Sequence, residues 1–123
     1  MRVIINLVII VAVAYSCVYH NEEDLYPQPD TCDTTNITFS SSVQPVLQQN
    51  CLSCHGNNTA SSLGANIKLE DYQDVKLRAD DGSLLGTISH ESGYSPMPRG
   101  ALKLDDCTIT IIEIWINSNS PDN

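Results

Sequence analysis

Methionine is almost missing from this chain. Only Met1 and Met97 carry a thioether among its 123 residues, so N-terminal cleavage would leave Met97 alone. Bulky apolar groups are scarce as well, with one tryptophan (Trp115), one phenylalanine (Phe39) and five tyrosines. A small domain this poor in large side chains often needs a staple, a metal or a cofactor to complete its core. Positive charge is short too: six Lys and Arg face fifteen Asp and Glu, for a formal net charge of −9 and a pI near 4.4. That balance argues against nucleic acid, or an anionic membrane face, as a partner. No apolar run reaches the roughly 18 residues of a bilayer-spanning helix. Hydrophobic residues nevertheless make up 41% of the chain, which suits one folded domain with a targeting segment.

The longest apolar run is Val3 to Ala14 in "MRVIINLVIIVAVAYSC", behind a single positive charge at Arg2. A short apolar segment followed by small residues has the anatomy of a signal peptide. A buried N-terminal helix or strand is the competing reading. The ending "AYSC" resembles the lipobox of bacterial lipoproteins, which implies cleavage after residue 16 and a lipid anchor on Cys17. Loss of Arg2 takes the formal charge from −9 to −10. The following stretch to residue 37 is acidic, contains Pro27 and Pro29 and lacks apolar periodicity, so it reads as an extended tether. His20 lies in it and reads as solvated. The acids Glu22, Glu23 and Asp24 resemble surface-sorting signals of some lipoproteins, and read equally well as a solvated linker. The expected organisation is a lipoprotein signal peptide (1–16), a tether (17–37) and a single domain (38–123). The expected location is the bacterial cell envelope, on the periplasmic face or the cell surface.

Five cysteines in so short a chain form an odd, informative set. Residues 51–55 read "CLSCH", the spacing of a c-type haem attachment site. Two thiols on one helical turn can add to the two vinyl groups along one haem edge, and the adjoining histidine can ligate the iron. Cys51 and Cys54 are therefore the expected thioether residues, and His55 the expected axial ligand of one covalent haem c. A structural zinc site would need four convergent ligands, whereas Cys32, Cys107 and His90 are isolated in sequence. A thioredoxin-like pair would need a βαβ setting, and none is visible.

A second axial ligand must come from elsewhere. Met97 lies 42 residues beyond His55 in "YSPMPRG". Proline fixes φ and donates no backbone hydrogen bond, so Pro96 and Pro98 restrict the loop and lower the entropy lost on ligation. A thioether favours ferrous iron and raises the potential. His90 is the rival, and would give a bis-histidine haem; the prolines favour Met97.

From about Thr38 onward the chain resembles the small monohaem class I cytochromes c, and more closely the short cytochrome c-like domains of bacterial lipoproteins. The likeness rests on "SSSVQPVLQQNCLSCHG" (40–56), "LEDYQDVK" (69–76), "LLGTISHESGYSPMPRGALKL" (84–104) and "IIEIWINSNSP" (111–121). It implies an all-α small cytochrome c fold, with helices around one covalently bound haem and the N- and C-terminal helices packed together. It also implies that Cys51 and Cys54 bind haem, that His55 and Met97 ligate iron, and that Trp115 packs the last helix against the first. The Gly/Phe pair of better-known members is absent from the first helix, where Val43, Val46 and Leu47 take the corresponding face. No proline follows the haem motif until Pro96, so the carbonyl partner of the axial histidine is expected elsewhere, at "LGAN" (63–66).

Residue patterns place the elements. A first helix is expected from Ser41 or Ser42, with Pro45 in its first turn. Residues 56–66 read as loop, 70–82 as a helix stopped by Gly82, and 83–88 as a short apolar element. "TITIIEIWI" (108–116) is β-branched enough for a strand. Asp105 and Asp106 as cap and first-turn acids tip the reading to a helix, with Ile109, Ile112 and Ile116 on one face and Trp115 on its flank.

With Cys17 lipidated and Cys51 and Cys54 on haem, Cys32 and Cys107 remain, and an exported pair is expected to form a disulfide. No catalytic constellation stands out; Glu70-Asp71 and Asp80-Asp81 read as solvated helix-end acids. The expected function is one-electron transfer to redox partner proteins, from a carrier tethered to the membrane by lipid and with no enzymatic role. A haem with a vacant or labile distal position, acting as a peroxidase or gas sensor, is the alternative, followed by a zinc-stapled interaction module.

Overall fold

The computed structural model describes residues 32–123. The expected signal peptide, the Cys17 anchor, His20 and the tether up to residue 31 lie outside the described residues. Every regular element among the described residues is helical, so this part of the chain is all-α. None of these helices is long and apolar enough to cross a membrane.

The first helix begins earlier than its serines suggest. Thr38, not Ser41 or Ser42, is the cap, and its hydroxyl accepts from the Ser41 N–H at 3.1 Å. A π-helical turn, Phe39–Val43, then runs into α1 (Gln44–Asn50), with Pro45 in the first turn where no donor is needed. The early start matters because it brings Phe39 into the core. Its ring stands edge-on to Tyr72 at 5.2 Å and lies 5.5 Å from Trp115. Three of the chain's few aromatics are thus spent on one cluster.

A break at Cys51 separates α1 from the short helix α2 (Leu52–His55), although the Cys51 N–H still donates to Leu47 O at 2.8 Å. Turns fill 56–66 as expected. α3 (Tyr72–Asp80) buries Val75 and Ala79. Gly82 follows with a left-handed φ of 77°, which glycine adopts without steric penalty, and it opens α4 (Ser83–Ile88).

The β-branched run is helical: α5 spans Asp106–Asn117. Asp105 caps it, accepting from the Thr108 N–H at 2.9 Å and the Thr108 hydroxyl at 2.6 Å. The hydroxyl above all, and the N–H after it, hold the Asp105 carboxyl below its ordinary range. Burial decides what propensity left open. Ile112 and Trp115 are the fully buried residues of α5, whereas Ile109 and Ile116 are half-buried. Trp115 is therefore the centre of the packed face and not its flank. The opening π-turn and α5 pack together with α1 beside them, as expected of N- and C-terminal helices.

Beyond α5, Asn119 and Ser120 both turn left-handed, with φ of 73° and 46°. They send the tail back across the core. The Trp115 indole donates to Pro121 O at 2.9 Å, and the Tyr72 hydroxyl to Ser120 O at 2.8 Å. Asn123 then accepts from Phe39 N–H through Oδ1 (2.7 Å) and from Ser40 N–H through its carbonyl (2.9 Å). These are donors that a helix start leaves without a partner. Cys32 and Cys107 are both in disulfide form, as the expected bridge requires, whereas Cys51 and Cys54 are free thiols.

Candidate functional site

A cavity of about 570 Å³ is lined by Cys51, Cys54, His55 and Met97 together. Such a volume lies within the range of cofactor pockets, roughly 300–1,000 Å³. Cys54 and His55 enter from α2, Cys51 from the break before it and Met97 from the loop after α4, and apolar side chains such as Ile67, Leu69, Leu84 and Ile88 complete the wall.

Within the motif the two thiols differ. Cys54 is exposed and Cys51 half-buried, and burial pushes the Cys51 thiol up to about 11. His55 is held from two directions. Its Nδ1 lies 2.9 Å from Ile67 O, and its own carbonyl accepts from the Leu69 N–H at 2.9 Å. A carbonyl can only accept, so Nδ1 carries the proton and Nε2 keeps the lone pair a metal needs. The carbonyl partner is thus Ile67, one residue past the "LGAN" turn expected to supply it. Gly64 of that turn has a different part: a Cβ there would lie 2.9 Å from Nδ1 and 2.6 Å from Cys54 O. Its missing side chain is the space in which the imidazole sits.

Met97 is half-buried between two exposed stretches. Its N–H donates to Thr87 O at 3.0 Å. His90, the rival ligand, does not line the cavity; its Nε2 lies 3.0 Å from Met97 O. The nitrogen best able to reach a metal is thereby engaged with the methionine's own backbone. Tyr94 braces the same loop, with its ring so close to Gly86 that a Cβ there would fall 2.5 Å from two ring carbons.

The lining suits an apolar group that carries negative charge. Its charged residues are Arg78 and Arg99, with no carboxylate, in a chain rich in acids. Arg78 pairs with Asp81 at 2.9 Å, while among the described residues Arg99 has no ion-pair partner. Leu63 lines the cavity yet is 64% exposed, apolar surface that an occupant would cover.

The helix-end acids, exposed as expected, make local bonds. Glu70 accepts from the Asn57 N–H at 2.6 Å and Asp71 from the Asn57 amide at 3.0 Å. Asp80 and Asp81 pair with Lys76 and Arg78. No group of three or more His, Cys, Asp or Glu that could hold a metal ion gathers among the described residues, which leaves a structural zinc without a ligand set there. The contributions of Ile67, Gly64, Gly86 and Tyr94, and the bond from His90 to Met97 O, are not readable from the motif. No family model, curated protein or solved structure matches the chain.

Proposed function

We propose that the protein is a one-electron carrier holding a single c-type haem, of the class I cytochrome c type. The observation that supports this best is one cavity of about 570 Å³ that brings Cys51, Cys54 and His55 together with Met97, 42 residues beyond the histidine. In this reading Cys51 and Cys54 would carry the thioethers, and His55 and Met97 would ligate the iron. Arg99, which has no ion-pair partner among the described residues, would offset propionate charge, and Arg78, already paired with Asp81, would add less. The bound iron supplies a one-electron couple.

The residues of the chain shape that couple. Ile67 O fixes the tautomer of His55 and raises its basicity as a ligand. The neutral Met97 thioether favours the reduced state. The loop, tied at Met97 to Thr87 and His90, would hold the thioether in one place whatever the charge on the iron. Anchoring through Cys17 would hold the carrier beside membrane redox partners in the cell envelope, and its acidity would suit a basic docking face.

Optical spectra of haem-loaded protein in both oxidation states test the reading. Covalently bound low-spin haem is expected, with a weak far-red band in the ferric state that is lost in Met97→Ala. A five-coordinate spectrum at rest would turn the assignment towards a peroxidase or gas sensor. Absence of covalent haem after coexpression with attachment machinery would defeat it.

A further inference from the structure

The loop that carries Met97 leaves α4 through a tightly specified turn. The Glu91 N–H donates to Gly86 O at 3.0 Å and the His90 N–H to Thr87 O at 3.3 Å, while Ser89 caps the helix. This is the bond pattern of a Schellman motif, in which the residue after the cap must turn left-handed. His90 does so, with φ of 56°. Glycine takes that position most readily, because a Cβ there crowds the next carbonyl. Histidine holds the less favourable backbone, and its side chain makes a bond glycine cannot make.

That bond runs from Nε2 to Met97 O, at 3.0 Å. The carbonyl accepts, so Nε2–H donates. The Met97 N–H is already given to Thr87 O at 3.0 Å. Both polar atoms of the Met97 backbone are therefore fixed to the end of α4, one by the main chain and one by the imidazole. Pro96 and Pro98 stiffen the loop internally, but a stiff loop can still swing about its ends. The His90 bond opposes that swing at the residue that bears the thioether.

We propose that His90 is a positioning residue: it ties the Met97 backbone to α4, and so sets how firmly the thioether resists displacement from iron. The inference rests on the haem reading above. His90 does not line the cavity, so it acts through Met97. One net hydrogen bond is worth roughly three- to tenfold in the balance between bound and displaced thioether.

The test uses haem-loaded ferric wild type, His90→Gly and Met97→Ala, with imidazole as a competing ligand. Titration is followed by loss of the far-red band, and urea midpoints are measured on the same samples. His90→Gly suits the left-handed turn, so its urea midpoint is expected to match or exceed that of wild type. Imidazole is expected to displace Met97 from it at roughly three- to tenfold lower concentration. An unchanged imidazole affinity in His90→Gly, beside a band that Met97→Ala abolishes, would overturn the positioning role alone. A wild-type spectrum lacking the band, or a band that survives in Met97→Ala, would remove Met97 as ligand and take both readings with it.

Discussion

Adding one methyl group at Gly64 probes how His55 is held. An ideal Cβ there would lie 2.6 Å from Cys54 O, 2.9 Å from His55 Nδ1 and 3.1 Å from Ala60 Cα. Gly64 does not have a left-handed φ, so alanine meets no dihedral penalty and the effect is one of space. Cys54 O and Ala60 Cα are backbone, and Ala60 is tied by its N–H to Gly56 O at 2.8 Å and by its carbonyl to the Gly64 N–H at 3.0 Å. The imidazole is the neighbour able to yield, and moving it strains the 2.9 Å bond to Ile67 O. Overpacking costs about 1–3 kcal/mol and the lost bond about 0.5–1.5 kcal/mol. The sum is roughly 2–4 kcal/mol, which a urea slope of about 1–2 kcal/mol per molar turns into a midpoint lower by about 1–4 M. The assay is urea unfolding of haem-loaded Gly64→Ala, followed by far-UV circular dichroism, together with its reduction potential. The potential should rise, because a histidine that loses its carbonyl partner is a weaker donor. A wild-type midpoint together with a wild-type potential would refute the account of Gly64 and Ile67.

Gly86→Ala should displace the Tyr94 ring and destabilise by about 1–3 kcal/mol, and the cost should largely disappear in a Tyr94→Ala background. Equal costs in the two backgrounds, measured by urea unfolding, would mean that the ring does not brace the loop. Asp105 gives a pH dependence of definite sign. Its folded pKa is lowered, first by the Thr108 hydroxyl, so its stabilisation is present above the ordinary carboxylate pKa and is lost as pH falls through the lowered folded value. Asp105→Ala should cost about 1 kcal/mol at neutral pH and converge on wild type in acid. A gap that persists in acid would assign the loss to something other than the cap.

The parts of the site written in residue types were legible. Two cysteines, a histidine and a proline-flanked methionine announce themselves, because thioether formation and ligation admit few substitutes. The partners of those residues are backbone atoms or absent side chains, and these leave little trace in a sequence. Any residue could offer the carbonyl that Ile67 offers, so only the folded chain distinguishes residue 67 from the turn before it. Gly64 was visible as a turn former, but not as room for an imidazole. His90 was legible as a possible ligand because histidine ligates metals; its left-handed backbone, which suggests a different task, has no signature of its own. For the fold, α5 shows local preference yielding to tertiary packing. Its isoleucines and threonines favour extended chain, yet the Asp105 cap and the burial of Ile112 and Trp115 make it helical. The serine run points to a cap three or four residues late, because nothing local marks Thr38 over Ser41 or Ser42 as the cap that brings Phe39 inside.

The returning tail has a consequence for how the molecule opens. Phe39 and Asn123 are 84 positions apart yet share a 2.7 Å bond, and the same tail accepts from Tyr72 and from the Trp115 indole. The π-turn, α5 and the last residues are therefore tied to one another across a wide sequence interval. Under native conditions the Phe39 and Ser40 amides and the Trp115 indole proton should exchange with solvent as a single group. The loop bearing Met97 is held by a separate and more exposed set of contacts, to Thr87 and His90, and its amides should exchange independently of that group.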